Sequence, residues 1–221
     1  RSAADTSTKD RILAAAIDVF ARKGYHGAGV EDIVLASGTS KGAFYHYFPS
    51  KQTIFLALMD DLAEVVEQGV EAAIGSEHGA MLKVEAALRA VVETAGSRRD
   101  LAKILLVEAV GLGPQFEQKR LEIHRRFAQV IRRHLDRAVA DGDIPAQDTA
   151  LVAQAWFGAL NEVISQWLIS GERLQALSER ERVEGPLTSS LPALRTLLLR
   201  SIGASNNPGN AGTRERGNAQ G

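Results

Sequence analysis

The stretch Gly38-Thr39-Ser40-Lys41-Gly42-Ala43-Phe44-Tyr45-His46-Tyr47-Phe48-Pro49-Ser50-Lys51 decides how the chain is read. It opens on a glycine that can take a left-handed turn. A short helix crowded with small polar residues and tyrosines follows, and Ser50 then starts another helix. Phe44 and Phe48, four apart, share one side of the short helix and face a core. Tyr45, His46 and Tyr47 cannot all turn inward with them. The remaining side therefore presents hydroxyls, an amine and phenols in a compact row, which suits the edge of a nucleic-acid duplex.

The residues upstream complete the unit. Ile12, Leu13, Ala16, Ile17 and Phe20 recur at helical spacing behind Thr6, Ser7 and Thr8, any of which can cap the helix. Gly24 follows Lys23 as a helix-ending glycine does. A second short helix is expected from about Val30 to Ser37, with Ile33, Val34 and Leu35 as its apolar side. Glu31 and Asp32 sit in its first turn, where the helix dipole favours acids. Helix, loop, short helix, tight turn, short helix is a helix-turn-helix inside a three-helix head.

Residues 10–58 resemble the DNA-binding head of the TetR family of bacterial transcriptional repressors. The resemblance rests on Ile12, Leu13, Ala15, Ala16, Phe20, Gly24, Tyr25, Val30, Ile33, Gly38, Ser40, Lys41, Gly42, Phe44, Tyr45, Tyr47, Phe48, Lys51 and Leu56. Gly29 departs from the family, which usually has a capping Ser or Thr there, and Thr39 replaces a small aliphatic residue. The resemblance implies double-stranded operator DNA as partner. It places Lys41, Gly42 and Ala43 at base edges, where a lysine can donate to guanine and an alanine can touch a thymine methyl. Tyr45, His46 and Tyr47 would touch phosphates or bases, and Thr39 and Ser40 would cap the helix and donate to phosphate. Lys51, beside the helix start at Ser50, would hold a phosphate. The structural alternatives are Ser40 as at least partly a cap and Tyr47 as a packing residue of the head.

Composition sets the outer limits. The chain has 221 residues, 45% of them hydrophobic, so it can bury a substantial core. It has no cysteine, which excludes disulfides and cysteine metal sites and fits a reducing cytoplasm. No signal peptide and no apolar run long enough to cross a bilayer is recognised, so no membrane partner is expected. The chain begins at Arg1, which reads as processing or trimming. Net charge is −1; residues 1–51 carry seven bases and five acids, a net of +2, leaving −3 for the remainder. That asymmetry favours nucleic acid only slightly. His26, His46, His78, His124 and His134 are scattered, with no metalloprotease, nucleophile-elbow or phosphate-loop pattern. The chain is therefore not read as an enzyme, and no cofactor or metal is expected.

From Ser50 onward the chain reads as helices: a long fourth one to about Ile74, then about Ala80–Ala95, Arg98–Val110, Pro114–Ala140, 149–170 and 186–202. Proline at the first turn and Asp141-Gly142-Asp143 at the end bound the seventh. The expected fold is all-α with about nine helices. It comprises a head at residues 1–51, a ligand-binding and dimerisation body at 52–202 and a disordered tail at 203–221. The apolar arc of the eighth helix is too wide for one packing partner. With the family resemblance this implies a homodimer through Trp156, Val163, Trp167, Leu191, Leu194 and Leu198; burial inside the monomer is the alternative.

An aromatic-lined cavity for a small apolar inducer is expected at Leu105, His124, Phe127, Trp156, Leu160 and Asn161, with ordinary core packing as the alternative. Residues 155–167 are similar to the eighth helix of repressors of fatty-acid degradation within the family, which implies an acyl-CoA inducer. Lys119, Arg120, Arg125, Arg126, Arg132, Arg133 and Arg137 crowd the seventh helix. They suit CoA phosphates, or form a solvated face. Leu121, His124, Ala128, Ile131, Leu135 and Ala138 are its expected inward seam. The reading is a repressor released from a palindromic operator. The alternative is a helical scaffold or small-molecule binder without sequence-specific DNA binding.

Overall fold

The computed structural model describes residues 7–170 and 186–203; the polar stretch 171–185 and the tail beyond Gly203 lie outside them. Nine helices and no strand occur among the described residues. The first, α1 (Thr8–Gly27), starts where Ser7 accepts from the Asp10 N–H at 3.1 Å. Gly24 breaks it with φ 66°, a region that only glycine enters cheaply, and its last turn swings away. Next, α2 (Val30–Ser37) begins at Gly29, which has no side chain to cap it. Asp32 compensates by accepting from the Gly29 N–H at 3.0 Å. Gly38, at φ 62° and ψ 31°, then turns the chain into α3 (Lys41–Tyr47), where Ser40 accepts from the Ala43 N–H.

The long α4 (Lys51–Gly75), capped by Ser50, belongs to both halves of the molecule. Ile54, Phe55 and Leu58 join Ile12, Phe20, Ile33 and Phe44 in a core that continues into the body through Leu101, Ile104, Phe116 and Leu168. Burying each large side chain there contributes about 1.5–3 kcal/mol. Farther from the head, α5 (Ala80–Ser97) packs on α4, and α7 (Pro114–Ala140) packs on both α4 and α8 (Thr149–Ser170). Then α9 (Pro186–Ser201) lies against α5 and α8. A second core holds Leu88, Leu135, Ile144, Trp156, Leu198 and Ile202. Asp148 caps α8 by accepting from the Leu151 N–H at 3.0 Å.

Three expectations change. The helix over 98–110 is not uniform: α6 (Arg99–Lys103) widens into a π turn at Ile104–Glu108. Leu35 is 83% exposed, because three consecutive helical residues sweep about 200° and cannot share a face with Ile33. Leu121 is also exposed, whereas the rest of the expected α7 seam, His124, Ala128, Ile131, Leu135 and Ala138, is covered or partly covered, with Phe116 buried as well. Among the described residues, no helix is long and apolar enough to cross a membrane.

Candidate nucleic-acid interface and ligand cavity

The two faces of α3 differ sharply. Phe44 and Phe48 are buried, and their rings lie 6.1 Å apart. Tyr45 is 50% and Tyr47 42% exposed, and Ser40, Lys41, Gly42 and His46 share the open side. Thr39 and Ala43 are partly covered, and the Thr39 hydroxyl lies 2.8 Å from that of Ser37. The Lys41 ammonium donates to Glu31 at 2.8 Å. That contact lowers the carboxyl's pKa and raises the ammonium's. Lys41 thus stays charged and exposed, able to donate to a guanine edge once it leaves Glu31.

Lys51 is placed differently from the open phosphate-holding position expected of it. Its ammonium donates to the Tyr25 and Ala28 carbonyls at 2.7 and 2.8 Å and lies over the Tyr25 ring. It therefore fastens α4 to the turn between α1 and α2. Arg11 was missed by the sequence reading. One guanidinium nitrogen, Nη2, donates to the Ser37 and Gly38 carbonyls at 2.8 and 3.0 Å, holding the turn that presents α3. This contact spans more than two dozen residues, so no helical spacing announces it. The signal available was that α2 must end in carbonyls needing a donor.

In the body, Leu105, His124, Phe127, Trp156, Leu160 and Asn161 all line one cavity of about 230 Å³. Its walls come from α4, α5, the π turn, α7, α8 and α9. Along α7 it runs from Arg120 to Ala138, about 27 Å at helical rise. Most lining side chains are aliphatic or aromatic, which suits a long apolar ligand, with Glu67, Lys83, Arg120 and Asp143 among the charged exceptions. His124 packs on the Phe157 ring, and burial, followed by the Arg120 charge, lowers its pKa so that it favours the neutral form. The Trp156 indole N–H donates to Ser201 at 2.8 Å. The walls from α4 and α5, with Met59, Val66 and Val84, were not anticipated. Their stripes read equally well as plain core.

The basic face of α7 is only partly solvated. Lys119 pairs with Asp60 at 3.1 Å, Arg126 with Glu67 at 2.9 Å, and both Arg133 and His134 with Glu71, all across the α4–α7 seam. Burial raises the Glu71 pKa, but the hydrogen bonds from His134 and Arg133 outweigh it and the net shift is downward. The Glu67 contact raises the pKa of Arg126. By contrast, Arg125 and Arg132 stay on the outer face of α7, beyond the seam.

The residues expected at a dimer interface divide. Trp156, Leu194 and Leu198 are at most 7% exposed inside one protomer, so they are core residues here. Much of the wide apolar arc of α8 is covered by α7, α9 and the cavity, but Leu151 and Ala155 stay exposed. Val163, Trp167 and Leu191 are partly covered, and Arg99 stacks on the Trp167 ring. The open face of α8 and α9 carries Leu151, Ala155, Gly158 and Leu197 instead.

Residues 12–58 match the family profile described as bacterial regulatory proteins, tetR family. Residues 79–171 match the Tetracyclin repressor-like C-terminal domain. The fatty acid metabolism regulator protein of Bacillus subtilis (strain 168) is 25% identical over 171 residues, spanning 76% of this chain and 88% of that protein. The HTH-type transcriptional regulator RutR of Escherichia coli (strain K12) is 37% identical over 65 residues, 29% of this chain and 31% of its own. FadR from Bacillus subtilis, solved in complex with stearoyl-CoA, superposes with a TM-score of 0.73 at 21% identity, covering 88% of this chain and 98% of that one. FadR from Bacillus halodurans gives the same TM-score at 22% identity, over 86% and 97% of the two chains. With a helix-turn-helix head matching one profile and a helical body matching the other, the chain belongs to the TetR family of bacterial transcriptional regulators.

Proposed function

We propose that the chain acts in the cytoplasm as a homodimeric repressor. In this reading, Lys41, Gly42, Ala43 and Tyr45 contact bases in the major groove. Thr39, Ser40, His46 and Tyr47 serve the flanking phosphates. Lys51 and Arg11 hold the head in shape. A twofold dimer through the open face of α8 and α9 sets the two reading helices about 34–36 Å apart, which calls for a palindromic operator. The inducer is a long-chain acyl-CoA whose chain occupies the cavity. The observation that carries this reading is the α3 helix, with one face locked in the core and a polar face held open. Support for the inducer comes from the long apolar cavity and from likeness to regulators named for fatty acids, one of them solved with stearoyl-CoA.

The test is electrophoretic mobility on DNA flanking the protein's own gene. The protein should retard that DNA, palmitoyl-CoA should release it, and the Lys41→Ala/Tyr45→Ala variant should remain a folded dimer that no longer retards it. Retention of binding by that variant would end the assignment of α3. Indifference to palmitoyl-CoA and shorter acyl-CoAs would end the inducer assignment alone.

A further inference from the structure

The ion pairs between α4 and α7 form a register. On α4, Asp60 and Glu67 are seven residues apart, with Glu71 one turn further; on α7, Lys119, Arg126 and Arg133 are spaced by seven. The two helices run parallel, both leading away from the head, so the pairs follow one another down the seam, and Arg126 also reaches Asp60 at 3.4 Å. Glu67 and His134 also line the cavity, which makes this seam one of its side walls. The cations are reachable from outside: the Lys119, Arg126 and Arg133 side chains are 19, 32 and 65% exposed. The carboxylates belong to the helix whose first turns are embedded in the head core through Ile54 and Phe55.

We infer that the anionic head of the cavity ligand takes over the α7 cations, centred on Arg126, from the α4 carboxylates, and so unzips the helix that carries the reading head. This rests on the acyl-CoA reading above and adds how such a ligand is sensed. A phosphate or carboxylate replaces Glu67 on Arg126 like for like, so the guanidinium keeps an anionic partner while Glu67 loses its own. The displaced carboxylate is repelled by its replacement, and α4 loses its ties to α7 level by level. The exchange also supplies what any inducer needs, unequal affinity for two arrangements of the protein. An uncharged chain of the same length fills the cavity without cutting the seam.

The test uses the two partners of one ion pair. Arg126→Gln and Glu67→Gln break the same bridge, so a purely structural pair would make both shift ligand affinity in the same direction. Competition for Arg126 requires opposite directions. Calorimetric titration of the full chain with palmitoyl-CoA should show about threefold or more weaker binding for Arg126→Gln and a similar strengthening for Glu67→Gln, the scale of a partly exposed ion pair. The palmitoyl-CoA concentration that releases operator DNA should move the same two ways. Palmitate reports whether a carboxylate head suffices or phosphates are needed, and 1-hexadecanol, the uncharged chain of the same length, should bind all three proteins equally. Shifts of the same sign, or none, in a wild type that binds palmitoyl-CoA overturn the exchange. A wild type that ignores palmitoyl-CoA overturns the inducer reading on which the exchange rests.

Discussion

Replacing Gly38 by alanine tests how the reading helix is held. Gly38 sits at φ 62° and ψ 31°, where an L-residue costs about 1–2 kcal/mol. The added Cβ would lie 3.3 Å from the Arg11 Nη2 atom. That atom ends a flexible side chain and can withdraw, but only by lengthening its bonds to the Ser37 and Gly38 carbonyls. Losing that grip at a largely exposed site costs about a further 1 kcal/mol. Gly38→Ala should therefore destabilise the protein by about 2–3 kcal/mol, and Arg11→Ala by about 1 kcal/mol. In the double variant the Cβ has no guanidinium to displace, so the total should fall short of the sum by about 1 kcal/mol. Urea unfolding of the four proteins, at one fixed concentration because a dimer's stability depends on it, measures this cycle. Additivity within about 0.3 kcal/mol would show that Arg11 does not grip the turn. A Gly38→Ala cost below about 0.5 kcal/mol would show that the left-handed turn is not kept.

Lys51→Met keeps the aliphatic stem and removes the ammonium from the Tyr25 and Ala28 carbonyls, so stability should fall by about 1–3 kcal/mol. The slope of operator affinity against salt should stay constant, whereas loss of a phosphate contact would reduce it by about one. Leu151→Asp and Leu197→Asp place charges on the open face of α8 and α9 and should yield monomers in sedimentation. Trp156→Phe loses the bond to Ser201 and part of the buried ring, about 2–3 kcal/mol together, and should remain dimeric. His124 is held neutral by burial, so its folded pKa lies below its unfolded one. Stability should be unaffected above the ordinary imidazole pKa of about 6.5 and decline as pH falls through it toward the folded value, because the unfolded chain protonates first. His124→Phe should flatten that decline in thermal unfolding between about pH 7 and 5.

The head was legible because its rules are local. Val30–Ser37 starts with two acids in its first turn and ends at Gly38, whose left-handed backbone is nearly unique to glycine, and both bounds agree with the sequence reading. Phe44 and Phe48 likewise had only one side of a seven-residue helix to occupy. The contacts that tie the head together were not legible. Arg11 to Ser37 and Lys51 to Tyr25 link residues far apart in sequence, and a lysine in a DNA-binding motif reads as a phosphate ligand until its ammonium is seen on two carbonyls. In the body, apolar stripes marked helices without saying what each stripe faced. Trp156 satisfied the pattern for core, cavity and interface at once, and only its burial and its bond to Ser201 remove the interface. The acids at 60 and 67 share the seven-residue spacing of the bases at 119 and 126, and Glu71 lies one turn further on. That register could have been read, but only by pairing two helices separated by α5 and α6.

The aromatic contacts at the top of α7 explain why the seam bears on the head at all. Phe116 is nearly buried, its ring 5.0 Å from that of Tyr25 and 5.2 Å from that of Phe55, edge to face with both. Tyr25 ends α1 and also receives the Lys51 ammonium, so the first residues of α7 are bound to α1 and α4 together. If α4 were tied to α7 only at this aromatic joint, a shift lower in the body would be taken up by α4 bending before it reached the head. The ion pairs at Asp60, Glu67 and Glu71 extend that tie along the next three turns of α4. Helices cross-linked at several levels move as one body, and helices linked at one level pivot. Cutting the ladder while leaving Phe116 in place therefore converts a rigid arm into a hinge at the head, a change of two reading helices' spacing that the groove of a duplex would register.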